Sequence, residues 1–229
     1  MQYDLEGRTP FGRSRTEDRV AFVRNVYLWL MGGFAVAGVG ALSAPFVARA
    51  LFPALGQAFV IVLCLVQFGT LMWASAVSRR KPMNRYAYTL ATFVSGVIAG
   101  IVMMVVAQTA GPDIVLAAFG MTAADFLLLT AVATFSKRDF SFLRNFVVIG
   151  IGVMFFGSIA AMFLRVEMFS LVIAAVAVIA CSAKILWDTS AMLRTQDYSD
   201  PAGFALSLFV SLYNIFLSLL RLLSGGRRN

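Results

Sequence analysis

The chain has 229 residues, of which 60% are hydrophobic and only 13% charged, and its mean hydropathy is +0.85. Soluble domains carry about 25% charged residues, so this composition excludes a soluble globular protein and points to one embedded in a bilayer. The net charge of +8 would by itself suit a nucleic-acid binder, but the basic residues are spread between apolar runs, which excludes that reading.

The chain opens with a polar tail, residues 1–24, interrupted by glycine and proline and expected to be flexible up to Thr16. Thr16 with Glu17 and Asp18 reads as a helix start, because acids in a first turn face the positive end of the helix dipole. Seven apolar runs follow: Val26–Val47, Phe52–Val77, Tyr86–Ala107, Ile114–Phe135, Asn145–Leu164, Met168–Leu193 and Phe204–Leu223. A helix crossing the hydrocarbon needs about 20 apolar residues. None of the runs shows the alternation of a barrel strand, so helices are expected throughout. The first run, about 22 apolar residues, is too long for a signal peptide although "ARA" at residues 48–50 imitates a cleavage site. The fold expected is an all-α integral membrane protein: a seven-transmembrane-helix bundle over residues 25–224 with a short basic tail, 225–229.

Orientation follows from the basic residues. The tail holds five arginines, the second connection four basic residues (Arg79, Arg80, Lys81, Arg85), the fourth three (Lys137, Arg138, Arg144) and the sixth Arg194. The remaining connections hold only Arg49 and Arg165. The positive-inside rule then places the N-terminus in the cytoplasm. Seven crossings would put Arg227 and Arg228 outside, against the bias, and a re-entrant last helix is the alternative.

Small residues recur in the runs: Gly32 and Gly33, a G-x-x-x-G at Gly96 and Gly100, then Gly150, Gly152 and Gly157. They are expected to let helix backbones approach closely. Cys64 and Cys181 lie inside spans and are read as packing residues, with no disulfide or metal framework. The last run carries Ser207, Ser211, Asn214, Ser218 and Arg221 at steps of four, three, four and three, one stripe down a helix face. A lipid-facing stripe would waste its hydrogen bonds, so it is expected to face the bundle interior, as interhelical glue or as the wall of a polar cavity.

Three ionisable residues stand inside the runs: Asp125, Lys184 and Asp188. Charges in hydrocarbon cost about 2.5–3.5 kcal/mol each on insertion scales. Lys184 and Asp188, four apart in "AKILWDTSAML", share a helix face and can neutralise each other. Lys184 could also snorkel to the near surface. Asp125 has no charged neighbour on its own helix, so it is either protonated or paired with another helix. The absence of histidine excludes a Ser-His protease and the usual zinc ligands, and the G-x-G-D of intramembrane aspartyl proteases is missing, so no enzyme is expected.

Three segments read together add a resemblance: "SKRDFSFL" after the fourth run, "LWDTS" ending the sixth, and "ALSLFVSLYNIFLSLLRLL" forming the seventh. The combination resembles the Bax inhibitor-1 family, and the last segment is most similar to its bacterial YccA-type branch. The resemblance implies seven helices with the last one central, no cofactor, and a bacterial inner-membrane location. It implies a non-catalytic modulator of membrane-protein turnover or stress response, with a membrane-bound AAA protease as partner. The polar tail is the expected handle for that partner, since a segment this poor in apolar residues cannot pack a core. Some family members are instead pH-sensitive leak channels, with calcium as permeant ion, that use two aspartates on the last two helices. Asp188 matches the first of these and Ser211 stands at the second, so one acid is missing. Lys184 and Asp125 both replace residues that are ordinarily apolar or small. One carboxylate beside a lysine suits calcium poorly, because that ion prefers six to eight oxygen ligands. The ion-path or pH-sensing candidates are therefore Asp188, Ser211, Asn214, Lys184 and Asp125, with Ser207, Ser218 and Arg221 completing the stripe.

Overall fold

A computed structural model describes residues 11–56, 58–136, 140–164 and 166–226, excepting the side chains of residues 11–16 and 162. Seven helices follow one another: α1 (Phe11–Leu55), α2 (Ala58–Ala76), α3 (Met83–Thr109), α4 (Pro112–Phe135), α5 (Leu143–Leu164), α6 (Glu167–Arg194) and α7 (Pro201–Gly225). Each is long and apolar enough to cross a membrane, and together they form the expected all-α bundle.

The boundaries of α1 depart from the sequence reading. Residues 1–10 of the expected flexible tail lie outside the described residues, but the helix already runs from Phe11, ahead of Thr16. At its other end the helix passes through the expected break at residues 48–51 and ends at Leu55, with Pro45 and Pro53 inside it. Alanine-rich "ARAL" favours helix, and one arginine does not interrupt it. What stops α1 is Gly56, whose φ of 50° is the left-handed conformation of a helix C-cap. Its N–H donates to the Phe52 carbonyl at 2.8 Å.

The most extensive interhelical packing is between α1 and α3. It is made possible by the G-x-x-x-G of α3, where a Cβ on Gly100 would come within 2.6 Å of the Ala41 carbonyl oxygen and one on Gly96 would strike the Ala37 backbone. This is the close approach expected of small residues. Gly32 and Gly152, by contrast, face open space, so the packing role expected of them is not theirs.

The last helix is central. α7 packs against every other helix except α5, which rests on α6 at the periphery. Eleven of its side chains are buried, including Phe209, Ile215 and Leu220 at 1% exposure or less. A Cβ on Gly225 would meet Leu171 in the first turns of α6, whereas Ser207 lies beside Asp188 near the α6 C-terminus. α7 therefore runs as one continuous helix alongside α6 from Asp188 to Leu171. Asp200 starts α7: its carboxylate accepts from the Gly203 N–H at 2.8 Å, and Pro201 occupies the first helical turn.

Candidate functional site

The site grows from the i, i+4 spacing of Lys184 and Asp188, which puts both on the face of α6 that meets α7. Lys184 Nζ lies 2.6 Å from Asp188 Oδ2, with side chains 18% and 10% exposed. Ser207, from α7, closes the group. Its hydroxyl donates to Asp188 Oδ2 at 2.7 Å, while Lys184 donates to the same hydroxyl oxygen. The Lys184 ammonium also sits 6.0 Å from the centre of the Trp187 ring, the outer reach of a cation–π contact. The Lys184 side chain thus reaches toward the α6 C-terminus and ends in a polar group shared with α7.

These three residues line a cavity of about 430 Å³ between α2, α6 and α7 that also touches Ser75, Ser78 and Asp200. Asp200 repeats the arrangement at Asp188. Ser78 donates to its Oδ2 at 3.0 Å, and the Arg79 guanidinium lies 3.6 Å from the same oxygen. Each of the cavity's two carboxylates is therefore matched by one cation and one serine hydroxyl. Arg79 also reaches Asp197 at 3.6 Å, clipping the α2–α3 connection to the α6–α7 connection. Hydrogen bonds from Ser199, its hydroxyl first and its N–H second, hold the exposed Asp197 below the ordinary carboxylate range.

The stripe on α7 divides. Ser207 meets Asp188, but Ser211, 1% exposed, donates back to the Ser207 carbonyl at 3.0 Å. Asn214 donates to the Val210 carbonyl at 2.8 Å, again on its own helix. The hydroxyl partner of Asp188 is thus Ser207, while Ser211, one turn on, bonds its own helix, as serine hydroxyls readily do with the carbonyl four residues back. Ser218 is half-buried, and exposed Arg221 lines a separate cavity of about 350 Å³ with Glu167 and Ser170. Ser207 and Arg221 are 14 residues apart, about 21 Å along the helix, and Leu212, Ile215 and Phe216 are buried between them. The two cavities do not join along the stripe.

Asp125 is brought to α6 but not to this group. It is half-buried on α4 and accepts a hydrogen bond from Ser182 at 3.0 Å, a contact open to a protonated as well as an ionised carboxyl. Asp200, Ser78 and Arg79 escaped the sequence reading. Asp200-Pro201 is a recognisable helix start, yet nothing in the sequence says that a connection as far off as Ser78, 122 residues away, supplies its partners. Gln67 was also missed: a polar side chain inside α2 that donates to Ser95 on α3 at 2.7 Å.

The family profile described as "Inhibitor of apoptosis-promoting Bax1" matches residues 19–229. The chain is 30% identical over 221 residues to an uncharacterised protein of Campylobacter jejuni, covering 96% of this chain and 95% of the relative. It is 31% identical over 169 residues to a protein of Escherichia coli K12 named "Modulator of FtsH protease YccA", covering 74% of this chain and 77% of the relative. A Neisseria meningitidis relative is 30% identical over 233 residues, 97% of each chain.

Proposed function

This chain belongs to the Bax inhibitor-1 family, and we propose that within it the protein is a non-catalytic, multi-pass inner-membrane modulator of a membrane-bound AAA protease. The observation that carries this reading is the 169-residue similarity to a relative named as a protease modulator. The site's charge balance supports it. With Asp188 held by Lys184 and Ser207, and Asp200 by Arg79 and Ser78, no group of carboxylates among the described residues is left to collect the oxygen ligands calcium requires. The N-terminal segment ahead of the first span is the handle for the protease, with the N-terminus on the cytoplasmic side. The test is degradation of a membrane substrate by the purified protease in liposomes, with and without this protein. Slower degradation is expected, with the effect lost when residues 2–15 are deleted, and an unchanged rate with the full chain rejects the reading.

A cation path is the second reading, favoured by the cavity that reaches Asp188 from one end of α7. On this reading the Lys184–Asp188–Ser207 group and the buried apolar residues beyond it hold the path shut.

A further inference from the structure

The seam between α1 and α4 holds two cavities that neither reading uses. No Cα of one helix comes within 8 Å of a Cα of the other among the described residues, so their backbones stand apart. At the end where α1 begins and α4 and α6 finish, a cavity of about 580 Å³ is lined by Arg19, Arg194, Thr134, Thr195 and Gln196. Deeper in the same seam is a cavity of about 640 Å³ walled by Tyr27, Phe34, Phe119, Phe126, Phe209 and Phe216. The Tyr27 and Phe126 rings, 6.4 Å apart and edge to face, bridge the seam at the top of the deeper cavity.

We propose that this seam binds a bilayer phospholipid, with one acyl chain in the aromatic cavity and its anionic headgroup against Arg19. The dimensions fit. Arg19 is eight residues above Tyr27, about 12 Å along α1, which places the basic cavity at headgroup level when Tyr27 marks the top of the hydrocarbon. On α1 the deeper cavity runs from Tyr27 to Ala41, about 21 Å, longer than the roughly 15 Å that one leaflet's hydrocarbon occupies. It is also continuous with the lipid-facing surface: Met31 and Phe119, which line it, are 68% and 51% exposed. Lipid tails are as apolar as the cavity wall, so transfer from bulk lipid gains little by itself. Retention comes from contact with the aromatic walls and from the charge-assisted contacts a phosphate makes with a guanidinium group.

The test is native mass spectrometry of the full chain in detergent, after exposure to vesicles of phosphatidylglycerol or phosphatidylethanolamine. Phosphatidylglycerol should stay bound to the wild-type chain. Gly38→Phe and Ala123→Phe, one on each wall of the deeper cavity, should each lower its occupancy about tenfold. A Cβ on Gly38 meets nothing within 4 Å, so the new ring enters without moving backbone. Should either variant lower the thermal midpoint, the other carries the comparison. Leu42→Phe, at a 78% exposed position outside the cavity, should bind as wild type does. Arg19→Glu should abolish the preference for phosphatidylglycerol while lipid remains bound. Inorganic phosphate, added as competitor, should leave the lipid in place. Equal retention by wild type and both filled variants overturns the proposal, and displacement by inorganic phosphate overturns the acyl-chain assignment.

Discussion

Replacing Lys184 by methionine isolates what the Lys184–Asp188 pair contributes. Methionine keeps the length of the side chain but leaves Asp188, 10% exposed, with only the Ser207 hydroxyl. At the observed 2.6 Å separation the gross attraction is about 6 kcal/mol with an effective dielectric of 20. Desolvation cancels much of that, and measured losses on breaking buried pairs are about 3–5 kcal/mol. The adjoining cavity admits partial solvation, so the lower end, about 3 kcal/mol, is expected for Lys184→Met. In a chain of this size that lowers the thermal midpoint by about 6–12 °C. Replacing both partners, Lys184→Met with Asp188→Leu, should restore most of the loss, because the charge left uncompensated in the single variant is gone. The assay is thermal unfolding in one detergent at one scan rate, since irreversible unfolding makes the midpoint depend on that rate. A loss below about 1 kcal/mol is what a solvent-exposed pair shows. That result, or a double variant less stable than the single one, would refute the claim that this is a desolvated pair.

Gly100→Val should destabilise by about 1–3 kcal/mol through overpacking against Ala41 and Ala44, whereas Gly32→Ala, facing open space, should stabilise by about 0.4–1 kcal/mol in the same unfolding assay. Asp200→Ala should cost about 1 kcal/mol by removing the α7 N-cap, and equal midpoints would show that the cap contributes nothing. A reporter fused after Asn229 should be active only outside the cytoplasm, as seven crossings from a cytoplasmic N-terminus require; cytoplasmic activity would reverse the assigned orientation. Lys184→Ala with Ser211→Asp frees one acid and adds a second, so cation flux through liposomes should rise above wild type. Strong wild-type flux would show that the ion pair does not close the path.

The existence of the seven helices was legible because each run is long and apolar, and the solvent that selects helices is uniform. The end of α1 was not, because the interruption of the apolar run at Arg49 reads as a connection, while the residue that ends the helix, Gly56, acts through a positive φ that a sequence does not display. Within the site, Lys184 and Asp188 were legible from their spacing alone, since one turn of helix fixes them as neighbours. On α7 the polar face was legible, but not which of its residues bonds Asp188, namely Ser207. A stripe identifies a face, but axial register is set by packing across the whole bundle. The second acid of the cavity, Asp200, was illegible for a related reason: the Arg79 and Ser78 that hold it come from a distant connection, and only the fold brings them there.

The consequence for mechanism lies in how α7 is held. Ser211 and Asn214 spend their hydrogen bonds on α7 itself, so in mid-span the helix is retained by apolar packing around Leu212, Ile215 and Phe216. At Ser207 it is tethered to α6 by a hydroxyl that simultaneously serves a carboxylate and an ammonium. Apolar packing between helices in a bilayer is weakly directional, whereas a shared ion pair has two discrete states, made and broken. A shift of α6 against α7 at this end would break the Lys184–Asp188–Ser207 group. Because α7 packs against α1, α2, α3, α4 and α6, such a change is felt by all of them, and it reaches α5 through α6 and through the Phe68–Phe155 ring contact with α2. On either proposed reading, a movement of α7 away from α6 at this end would cost that tether.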